Sequence, residues 1–547
     1  MKSFRLFVIY PWLFPAIIFT ILVLLGANMH PLWGDEAETA LFGRNVLKYA
    51  LPKGWDGVNI MGIYDAVVLD KDLINHTSPW VQYYLVAISF KLFGESSFAA
   101  RLPFIILSIL SIPLMYILSF KLTQNKFISF LTVLILSISV PFILFAYQAR
   151  YYSVSSFASI LLVLATLHIL EKKLWPKLLF VFASVLFFYG NYVSFLAFYI
   201  SLFLSFSINL LVKKEFFIRI KRFTLLFSGL SIIIAVLTAP WFFILKPLDS
   251  RGEIIFPSFF KAVVNLFSLG FSMYNNNNTL PLGFAIFVVA FLIVKIYKKK
   301  PDPALTFVAL LSFFFLLTMV VFSTMAVADA RFIDNRYTTP VFYFMFILSA
   351  YVINVFWQWK KIIGLLVLIL YAATNFFTFQ PLRSFPQEYL HELIYSYLTP
   401  DKVVADYLKK YAKDGDTAFV NLDRDHEPLI FHLKDKIRFV NRVTPTNQRI
   451  FPENLNIIPE YIYSYLDEPD WVILYSKRGN DRSFLTFGYR GVFPLGLAQT
   501  VDLKNHYEEI VLPVYFSDLS RPEIDLRSFS EIKPEYNDQV FIYKKRS

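Results

Sequence analysis

Ten stretches of this sequence contain no Asp, Glu, Lys or Arg: 6–34, 102–120, 127–149, 151–170, 178–212, 223–245, 262–294, 304–328, 337–359 and 362–382. Each is longer than the roughly 18 residues that mark a spanning helix. In hydrocarbon every backbone N–H and C=O must be bonded within the chain, so apolar runs of this length can only be helices. At 35 residues, 178–212 is too long for one crossing of about 20, and "YGNY" (Tyr189 to Tyr192) offers a break near its middle. Split there, the runs predict eleven transmembrane helices. The N-terminal run exceeds a signal-peptide core and no A-x-A cleavage site follows it, so it reads as the first helix.

The net charge of +12 would suit nucleic acid if it were gathered on one surface. It is not. The short segments between the apolar runs hold 18 Lys and Arg, from Lys2 and Arg5 to Lys360 and Lys361, against three acids, Glu171, Glu215 and Asp302. That surplus alone accounts for the net charge. It is the pattern that holds loops against a cytoplasmic leaflet, and it excludes nucleic acid as a partner. The N-terminus then lies in the cytoplasm and the C-terminus outside, in a cell (inner) membrane. With no Cys, disulfides, thiol catalysis and thiolate metal sites are excluded.

On this topology the outer face carries the long segment 28–101, the corner "AYQARYYS" (146–153), a loop from Pro247 to about Leu280, and "DARFIDNRYTTP" (329–340). The apolar stretch 79–93 is about 15 residues, too short to cross, and predicts a helix lying at the interface. After residue 382 the composition turns soluble. "DKVVADYLKKYAKDGD" (401–416) places Val403, Val404, Tyr407, Leu408 and Tyr411 on one helical face, with Gly415 as the stop. The β-type runs 417–422, 436–443, 470–477 and 539–544 follow. The expected fold class is a polytopic α-helical membrane protein, a transmembrane domain over 1–382 with a C-terminal extracytoplasmic α/β domain over 383–547. His426 and His432 read as surface residues. Asn75 and Asn277 fall in N-x-T sequons.

Three carboxylates, Asp35, Glu36 and Glu38, stand in "WGDEAE" directly after the first apolar run. The plain alternative is a solvated loop that caps a helix. Two further elements weigh against it: "H-x-x-P-W" at His76 to Trp80, and "FGES-x-F-x-ARLP" at Phe93 to Pro103. Together the three resemble the polyprenyl-phosphate-sugar glycosyltransferases of the membrane GT-C class. That class includes the protein O-mannosyltransferases and the lipid A aminoarabinose and galacturonosyl transferases. The resemblance covers residues 30–240 best.

The resemblance implies a sugar donor carried on a polyprenyl phosphate in the membrane lipid, and a glycan, lipid or protein acceptor at the outer face. It assigns the base that activates the acceptor to Asp35, with Glu36 as its partner. An inverting transfer needs one carboxylate to take the hydroxyl proton, while the leaving phosphate needs cations. Arg suits phosphate through its planar fork. Arg150 with Gln148 and Tyr151 in "QARYYS", and Arg331, Arg336 and Tyr337 near "NRYTTP", are the expected contacts, along with His76 and Asn191. The aminoarabinose transferases carry "KPP" where this chain reads "TSP" (Thr77 to Pro79), so that lysine is absent. His76 and Glu38 offer two ligands to a divalent metal, which the sequence does not require. The rival class, a transporter or flippase, buries ionisable groups near helix midpoints; this chain keeps them at helix ends.

Overall fold

The computed structural model describes residues 10–61, 69–70, 72–211, 216–245, 260, 263–264, 266, 303–326, 335–373, 382–395, 398–420, 426–439, 441–442, 462–463, 468–475, 503–515, 517, 529–531 and 538–546. By its contacts the chain forms two compact units. One comprises Met1–Ala27, Arg101–Leu393 and Pro522–Ile532; the other comprises Asn28–Ala100, Ile394–Arg521 and Lys533–Ser547. The segment Asn28–Ala100 therefore shares its unit with the C-terminal sheet.

In the helical unit the uncharged runs hold helices where their residues are described. They are α1 (Leu13–Gly26), α4 (Ser97–Thr123, after α2 and α3 of the other unit), α5 (Lys126–Ser137), α6 (Val140–Tyr147), α7 (Tyr152–His168), α8 (Trp175–Gly190), α9 (Tyr192–Leu211), α10 (Phe216–Leu245), α11 (Pro303–Ala326), α12 (Thr339–Trp359) and α13 (Lys361–Ala373). Nearly all of 262–294 lies outside the described residues. The expected break in "YGNY" is present: α8 ends at Gly190, and Asn191 caps α9 by accepting the Ser194 N–H at 2.9 Å. A second break was not anticipated. The run 127–149 bends by 66° between α5 and α6, where Pro141 supplies no N–H to the ladder. Among the described residues three helices are long and apolar enough to cross a membrane, four if the bent pair is one span. Aromatic side chains join neighbours, as where Tyr199 on α9 stacks 4.5 Å from Phe227 on α10.

The sheet unit opens with α2 (Gly34–Tyr49) and α3 (Val81–Phe93). The acidic segment is thus the first turn of a helix, not the solvated loop of the plain alternative. Gly43 permits the two helices to touch, since a Cβ there would stand 2.6 Å from Val86 Cγ1. After β1 (Leu382–Ser384) and α14 (Phe385–Ile394), which fall in the helical unit but for Ile394, come α15 (Pro400–Tyr411), β2 (Asp416–Val420), α16 (His426–Leu433), β3 (Ile437–Phe439), β4 (Asn441–Arg442), β5 (Ile462–Tyr463), β6 (Trp471–Tyr475), α17 (Leu503–His506), β7 (Tyr507–Val514), β8 (Phe529–Glu531), which pairs with β1 in the helical unit, and β9 (Asp538–Lys545). The main sheet has the order β3-β2-β6-β9-β7. β2 pairs in parallel with β3 and β6, and β9 runs antiparallel to β6 and β7. All of β6 is buried, as an unbroken apolar strand requires, and Val472 and Leu474 pack with Tyr507, Phe541 and Tyr543.

Two expectations need correcting here. α15 buries Val404, Ala405 and Leu408, while Tyr411 is exposed, so its inner face is rotated from the expected one. His426 is 5% exposed: it opens α16 and packs near the Phe439 ring of β3. His432 is half-buried on the same helix. Neither lies on the open surface, because α16 is enclosed between β3 and α2.

Candidate functional site

The acids come first. Trp33 is extended and precedes α2, which places Asp35 and Glu36 in its first turn. Asp35 is 2% exposed and Glu36 0%; Glu38 is half-buried. A helix N-terminus stabilises an anion by roughly 0.3–1 kcal/mol, up to about 2 when partly buried. Removing one carboxylate from water costs several kcal/mol. The helix end offsets only a fraction, and positions that carry such a cost are where chemistry is found. Thr39 continues the turn, its hydroxyl donating to the Asp35 carbonyl at 3.0 Å. Among the described residues the buried Trp33 indole N–H meets no acceptor.

His76 sits in a turn organised by Asn75, whose Oδ1 accepts the Thr77 and Ser78 N–H groups at 3.2 and 3.1 Å. Asn75 itself is fully buried and donates to Tyr83 at 3.2 Å, so the folded chain does not present this sequon. Asn277 lies outside the described residues. His76 is half-buried. Among the described residues no group of three or more His, Asp or Glu is arranged to hold a metal, so His76 and Glu38 gain no third such ligand.

The arginines belong to the helical unit. α6 ends at Tyr147, and the chain turns tightly through Gln148, with the Arg150 N–H bonded to the Gln148 carbonyl at 2.7 Å. Tyr151 then caps α7. Arg150, Gln148, Tyr151 and Tyr152 are buried. Arg336 and Tyr337 are half-buried on a single 3₁₀ turn, Asn335–Thr338, before α12. Each arginine lies over its neighbouring ring, Arg150 5.8 Å from Tyr151 and Arg336 5.2 Å from Tyr337. Both guanidinium groups lie within electrostatic range of the Tyr151 hydroxyl, as do Tyr337 and Tyr152. Ser156 and Ser159 on α7 donate to the Thr339 and Pro340 carbonyls at 3.1 and 2.9 Å, which fixes α7 against the start of α12. Two cations and several phenols in this arrangement have the chemistry to receive an anion. The Gln148 side-chain oxygen is buried there with no hydrogen-bond partner among the described residues.

Not every expected contact joins this group. Arg331 lies outside the described residues. Among the described residues, the hydrogen bonds of Asn191 are the local ones of the α9 cap. The sequence reading passed over Arg101, which is 1% exposed, donates to the Ala27 carbonyl at the end of α1 at 2.6 Å and lies 5.3 Å from the Tyr147 ring. Its signal was available, since it stands alone at the edge of an uncharged run as Arg150 does.

Two crystal structures share this fold. One is ArnT from Cupriavidus metallidurans bound to undecaprenyl phosphate, 12% identical, with a TM-score of 0.52 over 97% of this chain and 98% of that one. The other is the same protein in the apo state, 12% identical, with a TM-score of 0.54 over 99% and 98%. No family model matches the chain, and no curated protein matches it by sequence. At this identity the likeness is one of fold. It runs from end to end of both chains and agrees with the GT-C membrane architecture that the motifs imply.

Proposed function

We propose that this chain is a membrane glycosyltransferase that moves a sugar from a polyprenyl phosphate to an acceptor hydroxyl at the outer face. The acceptor is a protein, a lipid A or a polysaccharide. The observation that carries the reading is the bonding of α7, which follows Arg150, to the start of α12, which follows Arg336, so that both guanidinium groups lie near Tyr151, in a fold shared with a protein crystallised with undecaprenyl phosphate.

In this reading Asp35 takes the proton of the acceptor hydroxyl as its oxygen attacks the anomeric carbon. The bond from that carbon to the phosphate oxygen breaks, and the polyprenyl phosphate leaves with the charge. Arg150 and Arg336 receive that charge, with Tyr151, Tyr337 and Gln148 as neighbours. No second acid is needed, because the leaving group is already a stable phosphate anion. Glu36 orients Asp35 and tunes its basicity. Arg331, His76 and Asn191 remain candidates for contact with the sugar.

The test is turnover of an undecaprenyl-phosphate sugar by the purified chain. Asp35→Asn keeps the shape but cannot take the proton, so turnover falls by about 10²–10⁴ while donor binding holds. Glu36→Gln and Glu38→Gln are milder. Wild-type turnover in Asp35→Asn would falsify the base assignment. Mass spectrometry of envelope glycans with and without the chain identifies the sugar and acceptor.

A further inference from the structure

The sheet domain carries none of the groups placed in the reaction, yet it is bonded to the helix that begins with Asp35 and Glu36. One link runs from α2 to α16. Arg44 donates to the Phe431 carbonyl at 3.2 Å and to Glu95 Oε1 at 2.9 Å, and its guanidinium lies 5.3 Å from the Phe431 ring. Phe90 of α3 stacks on the same ring at 6.2 Å, and Lys434 reaches Glu95 at 3.8 Å.

The second link runs from α2 to β3. Asn45 and Lys48, on the later turns of α2, donate at 2.6 Å to the Lys53 and Asp56 carbonyls. They hold a turn in which Asp56 Oδ1 accepts the Val58 and Asn59 N–H groups at 2.8 and 2.5 Å. Asn59, fully buried, then donates to the Ile437 carbonyl at 3.0 Å and accepts the Phe439 N–H at 2.9 Å. β3 is an edge strand, and the Asn59 carboxamide bonds its outward donor and acceptor as a neighbouring strand would. The two links are unequal. Arg44 and Glu95 are partly solvated, and such pairs contribute little; losing Asn59 strands two buried backbone groups.

We infer that the C-terminal sheet domain serves the reaction by holding α2 in place, with Asn59 and Arg44 as positioning residues. The inference rests on the proposed function for its effect on turnover, but the mechanical link stands on geometry alone. α16 and β3 are consecutive elements of one βαβ unit, so α2 is held at two points of a single rigid body. A helix held this way keeps its first-turn carboxylates where an acceptor meets them, and a displacement of about 1 Å lowers rate by as much as 100-fold.

The experiment uses the full chain in nanodiscs and reads two quantities, hydrogen exchange in α2 and turnover of an undecaprenyl-phosphate sugar. In Asn59→Ala and in Arg44→Ala, exchange of α2 amides rises about tenfold, with the larger change in Asn59→Ala, while β6 stays protected. The kcat falls by roughly 10- to 100-fold with donor KM within about twofold. Asn59→Asp adds a signature that mere loss of fold does not give. Its carboxylate cannot donate to the Ile437 carbonyl, and α2 protection returns as pH falls and the carboxyl gains a proton. Should β6 open in Asn59→Ala, Arg44→Lys decides, since it leaves the β3 edge untouched. Unchanged α2 protection in the alanine variants overturns the inference, as does protection lost only together with that of β6. If the wild type turns over no such donor, the proposed function falls while α2 exchange still judges the link.

Discussion

Gly43→Ala sets two known effects against each other. In an exposed helix interior the change stabilises by about 0.8–1 kcal/mol, because alanine loses less backbone freedom on folding. At this position the new Cβ would stand 2.6 Å from Val86 Cγ1, 2.8 Å from Val86 Cβ and 3.2 Å from the Tyr83 carbonyl oxygen. Two of these atoms cannot rotate away, since the Cβ and the carbonyl belong to the frame of α3. The helices must part by several tenths of an ångström, and overpacking of this kind costs about 1–3 kcal/mol. The net expectation is a loss of up to about 2 kcal/mol. Unfolding midpoints in detergent measure it. Val86→Ala in the same chain removes the nearest methyl but leaves its Cβ, so the rescue is partial. Asp35 lies eight residues earlier on α2, about 12 Å along the axis, so turnover should fall with stability. A gain of the full helix-propensity increment in Gly43→Ala would refute the close approach of α2 and α3.

The proposed phosphate contact predicts that Arg336→Lys weakens binding of undecaprenyl phosphate by about 2 kcal/mol, roughly thirtyfold, because a point charge does not replace the fork; unchanged binding in Arg336→Ala removes it from the proposed site. For Asp56, burial is the largest influence and pushes its carboxyl above the ordinary 3.8. The native state therefore holds the proton longer than the unfolded chain, so this group's contribution to stability is fully present below pH 3.8 and is lost as pH rises through the raised value. Asp56→Asn keeps an oxygen for the turn and should flatten that slope in melts run from acid to neutral pH. For orientation, a reporter fused near residue 217 should read cytoplasm and one after residue 400 the outer side; the same side for both contradicts eleven helices.

The helices were legible because each is written in a run of one chemistry, and the Gly190–Asn191 break because Asn and Gly end helices. The strands β2, β6 and β9 were legible for the same reason. β7 was not, since "YEEIVLPV" mixes charges with apolar residues at an edge, where one face meets solvent. The α2 helix was hidden as well: its residues are on average neither apolar nor cleanly amphipathic, and it forms against α3 and α16. The acids were picked out by charge at a membrane edge, but their burial depends on packing that no local pattern records. Arg150 and Arg336 were found singly. Only the fold brings them to Tyr151.

The order of the main sheet bears on how the chain is made. β9, the last strand of the chain, lies between β6 and β7, so ribosomes must finish residues 538–545 before that sheet can close. The partners of the first loop are also late. Arg44 waits for a residue 387 positions downstream, and Asn59 for residues 378 and 380 positions downstream. Helices enter the bilayer during synthesis, whereas contacts of such separation form slowly and afterwards. On the proposed function, a nascent chain anchored in the membrane therefore has Arg150 and Arg336 made well before the helix bearing Asp35 is secured, and turnover waits for the late strands.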